Sequence, residues 1–471
     1  MQWTVADIVQ ATQGRLLYGD PTLCFAGIGI DSRNIPSDHL FVALRGENHD
    51  GHGFVGQVVD LGVRGLVVQD NASVPLNHEK LQASGVACVA VADTVKALGA
   101  LAAFQRRKFQ IPVVAITGSN GKTTTRQMTA LVMARHYTTL STQGNLNNEI
   151  GLPLTLFSLN TQHQIAVLEL GMNHAGEISR LAAICRPNIG VITNVAPAHL
   201  EFLGSIEGVA RAKGEMLAHI EAGGAVALNG DDAHVAALAA HARSRVLFFG
   251  TGTDADIKAE AVHQNARGVT FDLVLPNARV TVRLQTAGQF MVSNALAAAA
   301  AGHLAGLASG EIKAGLESFT TVKGRLNVST LANGVHLIDD TYNANPASMA
   351  AAFQTLSALT GGTPAYIVLG DMLELGPQAA ALHRQVGEMA ARRGARKLYL
   401  FGPHAEETAD GARSGGIAAG AILVNSKEAI ATDIIRHLQP GDWVLVKGSR
   451  GMAMEIVVEA IRAWAEKQIT G

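Results

Sequence analysis

The chain has 471 residues, of which 48% are apolar and 16% are charged, and its formal net charge is −2. This length exceeds what one hydrophobic core usually supports, and it favours about three domains. The near-neutral charge, without any run rich in lysine and arginine, excludes binding to nucleic acid through a broadly basic surface.

The first residues contain neither the basic stretch nor the apolar stretch of a secretory signal. The longest apolar run, residues 294–307, is interrupted by glycine and histidine and is shorter than the roughly 20 residues of a membrane-spanning helix. Cys24, Cys88 and Cys185 are scattered and lack the spacing of metal ligands, which indicates reduced thiols. We therefore expect a cytoplasmic protein that is not inserted in a membrane.

Short apolar runs rich in β-branched residues alternate with alanine- and leucine-rich stretches, a pattern typical of layered α/β proteins. We expect three domains, at residues 1–110, 111–324 and 325–471, with Ile111 and Pro112 marking the first boundary. In the first domain the pattern predicts helices over residues 5–12 and 95–109, and strands near residues 28–30, 40–44, 66–68 and 87–91.

The second domain begins with a buried strand over residues 113–116, and a helix is expected over residues 124–135. Alternation of apolar and polar residues over 257–284 predicts antiparallel hairpins, and an alanine-rich helix is expected from Met291 onward. Further strands are predicted at residues 165–170, 189–195, 225–228 and 246–249 in this domain, and at 335–338, 366–369, 397–401, 421–424 and 443–446 in the third. The third domain is thus expected to be a second open α/β sheet, which binds ligands beyond the carboxyl ends of its strands.

A glycine-rich turn joins the first strand of the second domain to the helix that follows, an arrangement that cradles phosphates on backbone N–H groups. The usual spacing would place a further glycine at Ile116, so the loop is a short variant. A chance turn is the alternative, and the flanking strand and helix disfavour it. The residues expected to bind ATP here are Gly118, Ser119, Asn120, Gly121, Lys122, Thr123 and Thr124.

An acidic residue, Glu169, ends the apolar strand at residues 165–170. A carboxylate buried there is costly unless it is paired or binds a metal. We interpret Glu169 as a Mg²⁺ ligand together with the Thr123 hydroxyl, and a structural salt bridge is the alternative.

Lys213 falls in a helical stripe of apolar residues that includes Ile206, Val209 and Ala210. Either its ammonium group extends to solvent, or the lysine is desolvated and available as a neutral amine for chemistry. His199, in the loop after the strand at residues 189–195, is a candidate metal ligand or orienting group, with an exposed loop histidine as the alternative.

The short loop, Glu169, Asn194, His199 and residues 211–215 occur in an order that resembles the Mur ligase family, the ATP-dependent amide-forming enzymes of peptidoglycan precursor synthesis. The resemblance implies catalytic roles for Lys122, Lys213 and His199. It also implies two Mg²⁺ ions, one held by Thr123 and Glu169 and the other by His199 and a Lys213 that is carbamylated by CO₂.

The resemblance extends over essentially the whole chain and includes residues 31–33, 41–46, 50–52, 145–153, 339–346, 369–376 and 446–452. It implies an N-terminal UDP-substrate domain, a central P-loop ATPase domain and a C-terminal Rossmann-like domain. The implied substrates are UDP-N-acetylmuramoyl-tripeptide and D-alanyl-D-alanine, and the enzyme is expected to be a monomer. Further ATP contacts are implied for Asn294, Arg325 and Asp340. Substrate contacts are implied for Ser32, Arg33, Arg45, Asp50, His52, Asn145, Asn147, Asn148, Tyr342, Asn343, Asn345, Lys447 and Arg450.

Several of these residues also have structural interpretations. Asn345 before Pro346 fits a helix N-cap followed by a first-turn proline, and Asn294 fits a cap of the alanine-rich helix. Arg325 fits an ion pair in a linker. The charges of Lys447 and Arg450 suit a substrate carboxylate.

Three other functions compete with this interpretation. A sister ligase that adds a single amino acid, or a glutamate to folate, should lack the segments at residues 339–346 and 369–376. A nucleotide-gated switch or motor would leave the misplaced Lys213 unexplained. A non-catalytic binding module is disfavoured because Lys122, Thr123 and Glu169 are all present.

Overall fold

The computed structural model describes residues 2–46, 49–71, 74–265, 268–286, 288–321 and 324–470. Three large β-sheets follow one another along the chain, and each is covered by helices. The α/β class expected from the sequence is therefore confirmed. In the described part of the chain, no helix combines the length and the apolar character needed to cross a membrane.

The first sheet has five strands in the order β2-β7-β6-β5-β4, all parallel except β2. The predicted strands are present. The edge strand β2 was not predicted, because its first and last residues are polar and its four residues show no clear alternation of apolar and polar side chains. The elements are β1 Trp3–Thr4, α1 Val5–Thr12, β2 Arg15–Tyr18, β3 Cys24–Phe25, β4 Gly27–Gly29, β5 His39–Val42, α2 Val55–Asp60, β6 Gly65–Gln69, α3 His78–Ala83, β7 Ala87–Val91 and α4 Thr94–Arg107.

The second sheet has nine strands in the order β16-β15-β14-β13-β12-β11-β8-β10-β9. Strands β14 to β16 form the predicted antiparallel hairpins, and the other pairs are parallel. The elements are β8 Val113–Thr117, α5 Lys122–Met133, β9 Thr139–Ser141, α6 Gly151–Phe157, β10 Ile165–Glu169, α7 Glu177–Cys185, β11 Ile189–Ile192, α8 Leu200–Leu203, α9 Ile206–Gly214, β12 Ala225–Asn229, α10 Ala233–Ala237, β13 Arg245–Gly250, β14 Ile257–Asn265, β15 Gly268–Leu275, β16 Ala278–Leu284, α11 Phe290–Leu304 and α12 Ser309–Glu317.

The third sheet has six strands in the order β17-β18-β22-β19-β20-β21, parallel except for the edge strand β17. The sequence did not predict β17, because its residues are largely polar. The elements are β17 Asn327–Thr330, β18 His336–Asp340, α13 Pro346–Thr360, β19 Ala365–Gly370, α14 Ala379–Arg392, β20 Ala395–Phe401, α15 Ala405–Ser414, β21 Ile422–Val424, α16 Lys427–His437, β22 Trp443–Lys447 and α17 Glu455–Thr470.

The central sheet is held between two apolar layers. On one side α11 is buried along most of its length, with Ala295 to Ala301 all inaccessible to solvent, and it packs beside α5. Alanine side chains are small, so this helix lies close to the sheet. A helix that is apolar all round belongs in a core, which accounts for the longest apolar run of the sequence.

Helix α4 joins the first two domains. Leu98 and Leu101 belong to the core of the first domain, whereas Ala102 packs into that of the second. Arg106, which is buried, donates hydrogen bonds to the carbonyls of Cys185 and Ile111 at 2.9 and 3.0 Å. The boundary predicted near residue 110 is thus a packed junction.

Candidate active site

A cavity of about 540 Å³ lies where the carboxyl ends of β8 and β10 meet the third domain. Parallel strands present their carboxyl ends at one edge of a sheet, so loops from both sheets converge there. Most residues that the sequence assigned to ATP, metal and the C-terminal substrate line it, namely Ser119, Asn120, Gly121, Lys122, Thr123, Thr124, Asn147, Glu169, His199, Asn294, Arg325, Asp340, Tyr342, Asn343, Asn345 and Lys447.

The turn at residues 118–121 adopts backbone conformations that require glycine. Gly118 and Gly121 have φ angles of +151° and +79°. A Cβ atom would lie 1.9 Å from Thr193 Oγ1 at the first position and 2.2 Å from Asn294 Oδ1 at the second. Ile116 belongs to the buried strand β8, so the loop is the short variant that the sequence predicts.

Residues 194–196, which follow β11, hold the phosphate loop through hydrogen bonds. Asn194 Oδ1 accepts the N–H of Asn120 at 2.8 Å, and its Nδ2 donates to the Asn120 carbonyl at 3.0 Å. Ser119 Oγ accepts the N–H of Ala196 at 2.9 Å. These bonds hold the loop in one conformation.

Lys122 is the first residue of α5, which begins two residues earlier than predicted. Its Nζ donates to the loop carbonyls of Gly118 and Ser119 at 2.8 and 3.2 Å. Burial lowers the pKa of Lys122, and the nearby Glu169 carboxylate opposes that shift. The ammonium group therefore lies inside the turn whose N–H groups would hold phosphates.

Glu169 is buried, and only one of its two oxygens has hydrogen-bond donors. Oε1 accepts from Thr123 Oγ1 at 3.1 Å and from Asn147 Nδ2 at 2.8 Å. Oε2 has no hydrogen bond to any described residue and lies 3.8 Å from Arg126 Nε, a charge pair without a hydrogen bond. A carboxylate oxygen and a threonine hydroxyl, side by side, match the oxygen ligands that Mg²⁺ prefers.

No group of three or more histidine, cysteine, aspartate or glutamate side chains within the described ranges forms a ready-made metal centre. Mg²⁺ does not need one, because it keeps waters and substrate phosphates among its ligands. Thr123 and Glu169 therefore fit a metal that arrives with a nucleotide.

Lys213 is 1% exposed on α9, so the interpretation that its ammonium extends to solvent is wrong. Its Nζ has no hydrogen bond or ion pair with any residue that the structure describes. Burial, and secondarily the positive charge of Lys122, hold its pKa well below the usual value. The Lys213 amine is thus more easily deprotonated than that of an exposed lysine, and it lies near Lys122 of the phosphate loop.

His199 lines the cavity, and its partner comes from the third domain. Its Nδ1 lies 2.5 Å from Glu374 Oε2, and this hydrogen bond lowers the pKa of Glu374. The alternative of a merely exposed loop histidine is wrong, since the side chain is 18% exposed and paired.

Of the two asparagines with a predicted capping role, the structure confirms one. Helix α11 begins at Phe290, so Asn294 lies inside it and the capping interpretation is wrong; its Oδ1 accepts from Thr125 at 3.3 Å. Asn345 does cap α13, accepting the Ser348 N–H at 2.9 Å. It also faces the phosphate loop through Asn120.

The third domain contributes two charged groups. Lys447 Nζ is buried, lies 2.5 Å from Asp340 Oδ2 and donates to the Asn343 carbonyl at 2.9 Å. The Arg325 guanidinium lies over the Tyr342 ring, 4.0 Å from its centre, and makes no ion pair with a described residue. Arg325 is thus positioned by stacking, and the linker ion pair that was its alternative does not form with the described part of the chain.

Several predicted substrate residues lie outside this cavity. Arg450 is 67% exposed and pairs with Glu455. Asn148 accepts the Gly151 N–H, and Asn145 is exposed nearby. In the first domain Ser32 is buried beside the exposed Arg33, and Arg45 pairs with Asp50 in an isolated β-bridge.

His52 is buried and has a partner at each ring nitrogen. Nδ1 lies 2.6 Å from Asp50 Oδ1, and Nε2 accepts the Gln69 N–H at 2.9 Å. The structure therefore gives His52 and Asp50 a role in holding the loop after β5, next to Arg45. Direct contact of His52 with a substrate stays a prediction.

Two site residues were missed by the sequence analysis. Arg126 stands four positions after Lys122, so α5 places both on one face, and that spacing was a usable signal. Glu374 carried no such signal, because its partner His199 is 175 positions away.

A strand, a short glycine turn, a helix that starts with lysine, and a buried carboxylate beside a threonine define a P-loop nucleotide-dependent enzyme. Models of the Mur ligase catalytic domain, the Mur ligase middle domain and the Mur ligase glutamate ligase domain match residues 25–106, 116–302 and 324–450 respectively. The chain belongs to the Mur ligase family.

Individual relatives match over nearly their full lengths. The chain is 38% identical to UDP-N-acetylmuramoyl-tripeptide–D-alanyl-D-alanine ligase of Escherichia coli over 463 residues, covering 98% of each chain. It is 33% identical to the Bacillus subtilis enzyme of the same name over 457 residues, covering 97% of this chain and 96% of that one.

Solved structures agree in fold. A crystal structure of MurF from Acinetobacter baumannii superposes with a TM-score of 0.89 at 34% identity, covering 98% of this chain and 99% of that one. MurF ligase from Thermotoga maritima, crystallised with ADP, gives a TM-score of 0.81 at 27% identity, covering 94% and 98%. The three-domain α/β fold inferred from the sequence is therefore confirmed.

Proposed function

We propose that this enzyme joins D-alanyl-D-alanine to UDP-N-acetylmuramoyl-tripeptide, forming the UDP-N-acetylmuramoyl-pentapeptide precursor of peptidoglycan while ATP becomes ADP and phosphate. One observation carries the proposal: a single cavity holds the phosphate loop with Lys122 on one side and the Asp340–Lys447 pair on the other. ATP and a second substrate therefore meet in one place. The relatives that bear this activity as their name support the choice of substrates.

The reaction that fits the cavity has two steps. The terminal carboxylate of the tripeptide attacks the γ-phosphorus of ATP, the bond to the bridging oxygen breaks, and an acyl phosphate and ADP form. The neutral amine of D-alanyl-D-alanine then attacks the acyl carbon. The tetrahedral intermediate loses a proton from the attacking nitrogen to solvent and collapses to the amide as the bond to phosphate breaks.

The first step brings a carboxylate up to the negatively charged γ-phosphate, and the chain supplies groups that offset this repulsion. Lys122 and the N–H groups at residues 118–123 would lie against the phosphates, where positive charge favours attack by a carboxylate. Arg325, held over Tyr342, brings a second positive charge from the third domain. Docking of that domain excludes water, which would otherwise hydrolyse the acyl phosphate.

Thr123 and Glu169 would hold one Mg²⁺ ion. Glu169 Oε2 supports this, because it is buried and accepts no hydrogen bond from any described residue. His199 and Lys213 would hold a second, with Lys213 carbamylated: its neutral amine adds to CO₂ and loses a proton, which leaves an anionic ligand. Metal ions bound there would neutralise charge on the reacting phosphate. The low pKa of Lys213 supports this role, because only the unprotonated amine adds to CO₂.

The proposed division of labour follows the predicted domain boundaries. Residues 1–110 would bind the UDP-sugar through Ser32, Arg33 and Arg45, residues 111–324 would bind ATP, and residues 325–471 would bind D-alanyl-D-alanine. We place the enzyme in the cytoplasm as a monomer. Its three free cysteines are consistent with a reducing compartment.

Mass spectrometry of the reaction of purified protein with ATP, UDP-tripeptide and D-alanyl-D-alanine tests the proposal. We expect UDP-N-acetylmuramoyl-pentapeptide, and ADP release that requires the UDP-tripeptide. Competition between D-alanyl-D-alanine and single amino acids separates this activity from that of a sister ligase. ATP hydrolysis without an amide product would overturn the proposal.

A further inference from the structure

One contact between the second and third domains joins His199, which lines the cavity, to Glu374, which does not. His199 belongs to the chain before α8 and lines the cavity, whereas Glu374 belongs to the loop after β19 and does not. Glu374 Oε2 lies 2.5 Å from His199 Nδ1. The ring nitrogen left for the cavity is therefore Nε2.

The backbone holds both residues in place. His199 and Glu374 have φ angles of +56° and +62°, left-handed conformations that non-glycine residues rarely adopt and that surrounding contacts must maintain. The Glu201 N–H donates to the Glu374 carbonyl at 3.3 Å. A Cβ atom on Gly376 would lie 3.1 Å from Glu201 Cα, so the two loops are in close contact.

Hydrogen bonding at one ring nitrogen decides what the other can do. A carboxylate at Nδ1 keeps the proton on that nitrogen, so that Nε2 carries a lone pair. Histidines that bind metals usually have such a partner, which fixes the tautomer and the ring orientation. Glu374 stands in this relation to His199.

The geometry points to Glu374 as a positioning residue: it fixes His199 with the Nε2 lone pair toward the cavity, so the third domain completes a cation site on the second. This inference rests on the proposed function, in which His199 faces a divalent cation beside ATP. It adds that the site is complete only when the third domain is docked. The sequence assigned no role to Glu374.

Binding of Mn²⁺, measured by electron paramagnetic resonance with a non-hydrolysable ATP analogue, tests this inference without requiring turnover. In Glu374→Ala the Mn²⁺ site that includes His199 should lose roughly 10- to 100-fold in affinity, the range for lost outer partners of metal-bound histidines. Glu374→Asp should recover part of the loss. The matched control is Glu407→Gln, which removes another half-buried glutamate that pairs with a histidine, His404, in the same domain.

A double-mutant cycle separates positioning from a general structural effect. In a His199→Ala background, Glu374→Ala should change Mn²⁺ affinity less than twofold. An equal loss of Mn²⁺ affinity in the wild-type and His199→Ala backgrounds would overturn the inference. So would an unchanged Mn²⁺ affinity in a Glu374→Ala protein whose melting temperature equals that of the wild type. The readout needs only protein, Mn²⁺ and the analogue, so failure of the wild type to make pentapeptide would overturn the proposed function alone.

Steady-state kinetics provide a second readout. We expect kcat of Glu374→Ala to fall by roughly 10- to 100-fold while the KM for D-alanyl-D-alanine stays within about twofold, because the acceptor site is untouched. A change confined to that KM would contradict the inference. It would place Glu374 with the acceptor substrate instead.

Discussion

Asn120 of the phosphate loop and Asn345 of the third domain exchange hydrogen bonds through their side-chain amides. Asn345 Nδ2 donates to Asn120 Oδ1 at 2.7 Å, and Asn120 Nδ2 lies 3.3 Å from Asn345 Oδ1. The same Asn345 Oδ1 caps α13. One side chain therefore starts a helix of one domain and contacts the ATP loop of another.

Asn345→Asp separates these two roles. Aspartate caps helices as well as asparagine does, but it cannot donate to Asn120. We expect an unchanged melting temperature and a KM for ATP that rises about fivefold, since a lost hydrogen bond costs about 1 kcal/mol. Ser426→Ala, which removes the cap of α16, is the control. It should lower stability without changing that KM.

Lys213→Ala should abolish turnover, because no other side chain can supply the proposed carbamate. A short carboxylic acid added to the buffer should partly restore activity by replacing the missing carboxylate. Initial rates of ADP formation at increasing acid concentration measure the rescue. Lys122→Ala, which lacks a charge rather than a carboxylate, should not respond to the acid. Wild-type activity in Lys213→Ala would remove the carbamate from the mechanism.

Gly121→Ala should lower kcat/KM for ATP at least 100-fold. The residue has a φ angle of +79°, and the new Cβ would collide with Asn294 Oδ1. The left-handed conformation alone costs about 1 to 2 kcal/mol for a residue with a side chain. Gly56→Ala is the control, since this exposed glycine of α2 has open space around it and should gain about 0.5 to 1 kcal/mol of stability. An active Gly121→Ala enzyme would mean that the loop is not the phosphate site.

Arg33→Ala should raise the KM for UDP-tripeptide roughly 10- to 100-fold, the effect of losing a charged hydrogen bond to a substrate. Its guanidinium is 84% exposed and pairs only with Asp31 among described residues, so the melting temperature should not change. Arg15→Ala, another exposed arginine of this domain paired with Asp70, should alter neither quantity. An unchanged KM in Arg33→Ala would remove this residue from the UDP site.

The local features of the site were predictable from sequence. Strand β8, the short loop and α5 form a continuous segment, so pattern and glycine spacing suffice to place Lys122 and Thr123. The position of Lys213 in an apolar stripe allowed burial as one of two interpretations, and the structure decides for it. Each of these inferences depends only on residues that are close together in the sequence.

Features that depend on contacts between distant segments were not predictable. Nothing local indicates that Glu374 meets His199, or that Asn345 meets the phosphate loop while it caps a helix. The start of α11 was predicted to within one residue, at Met291 instead of Phe290, whereas the contact of Asn294 with Thr125 of α5 depends on the fold. The hydrogen bond between His52 and the Gln69 N–H was not predictable either, because the two residues come together only in the folded domain.

Helix α4 and its Arg106 have a consequence for how substrates enter. Because α4 contributes side chains to the cores of two domains, turning the first domain away from the second would expose apolar surface and break the Arg106 bonds. The contacts described between the second and third domains include hydrogen bonds such as Asn120–Asn345 and His199–Glu374, which exchange readily with water. We therefore expect the first two domains to move as one rigid body. Movement of the third domain away from them would open the cavity, so that ATP can enter and the finished peptide can leave.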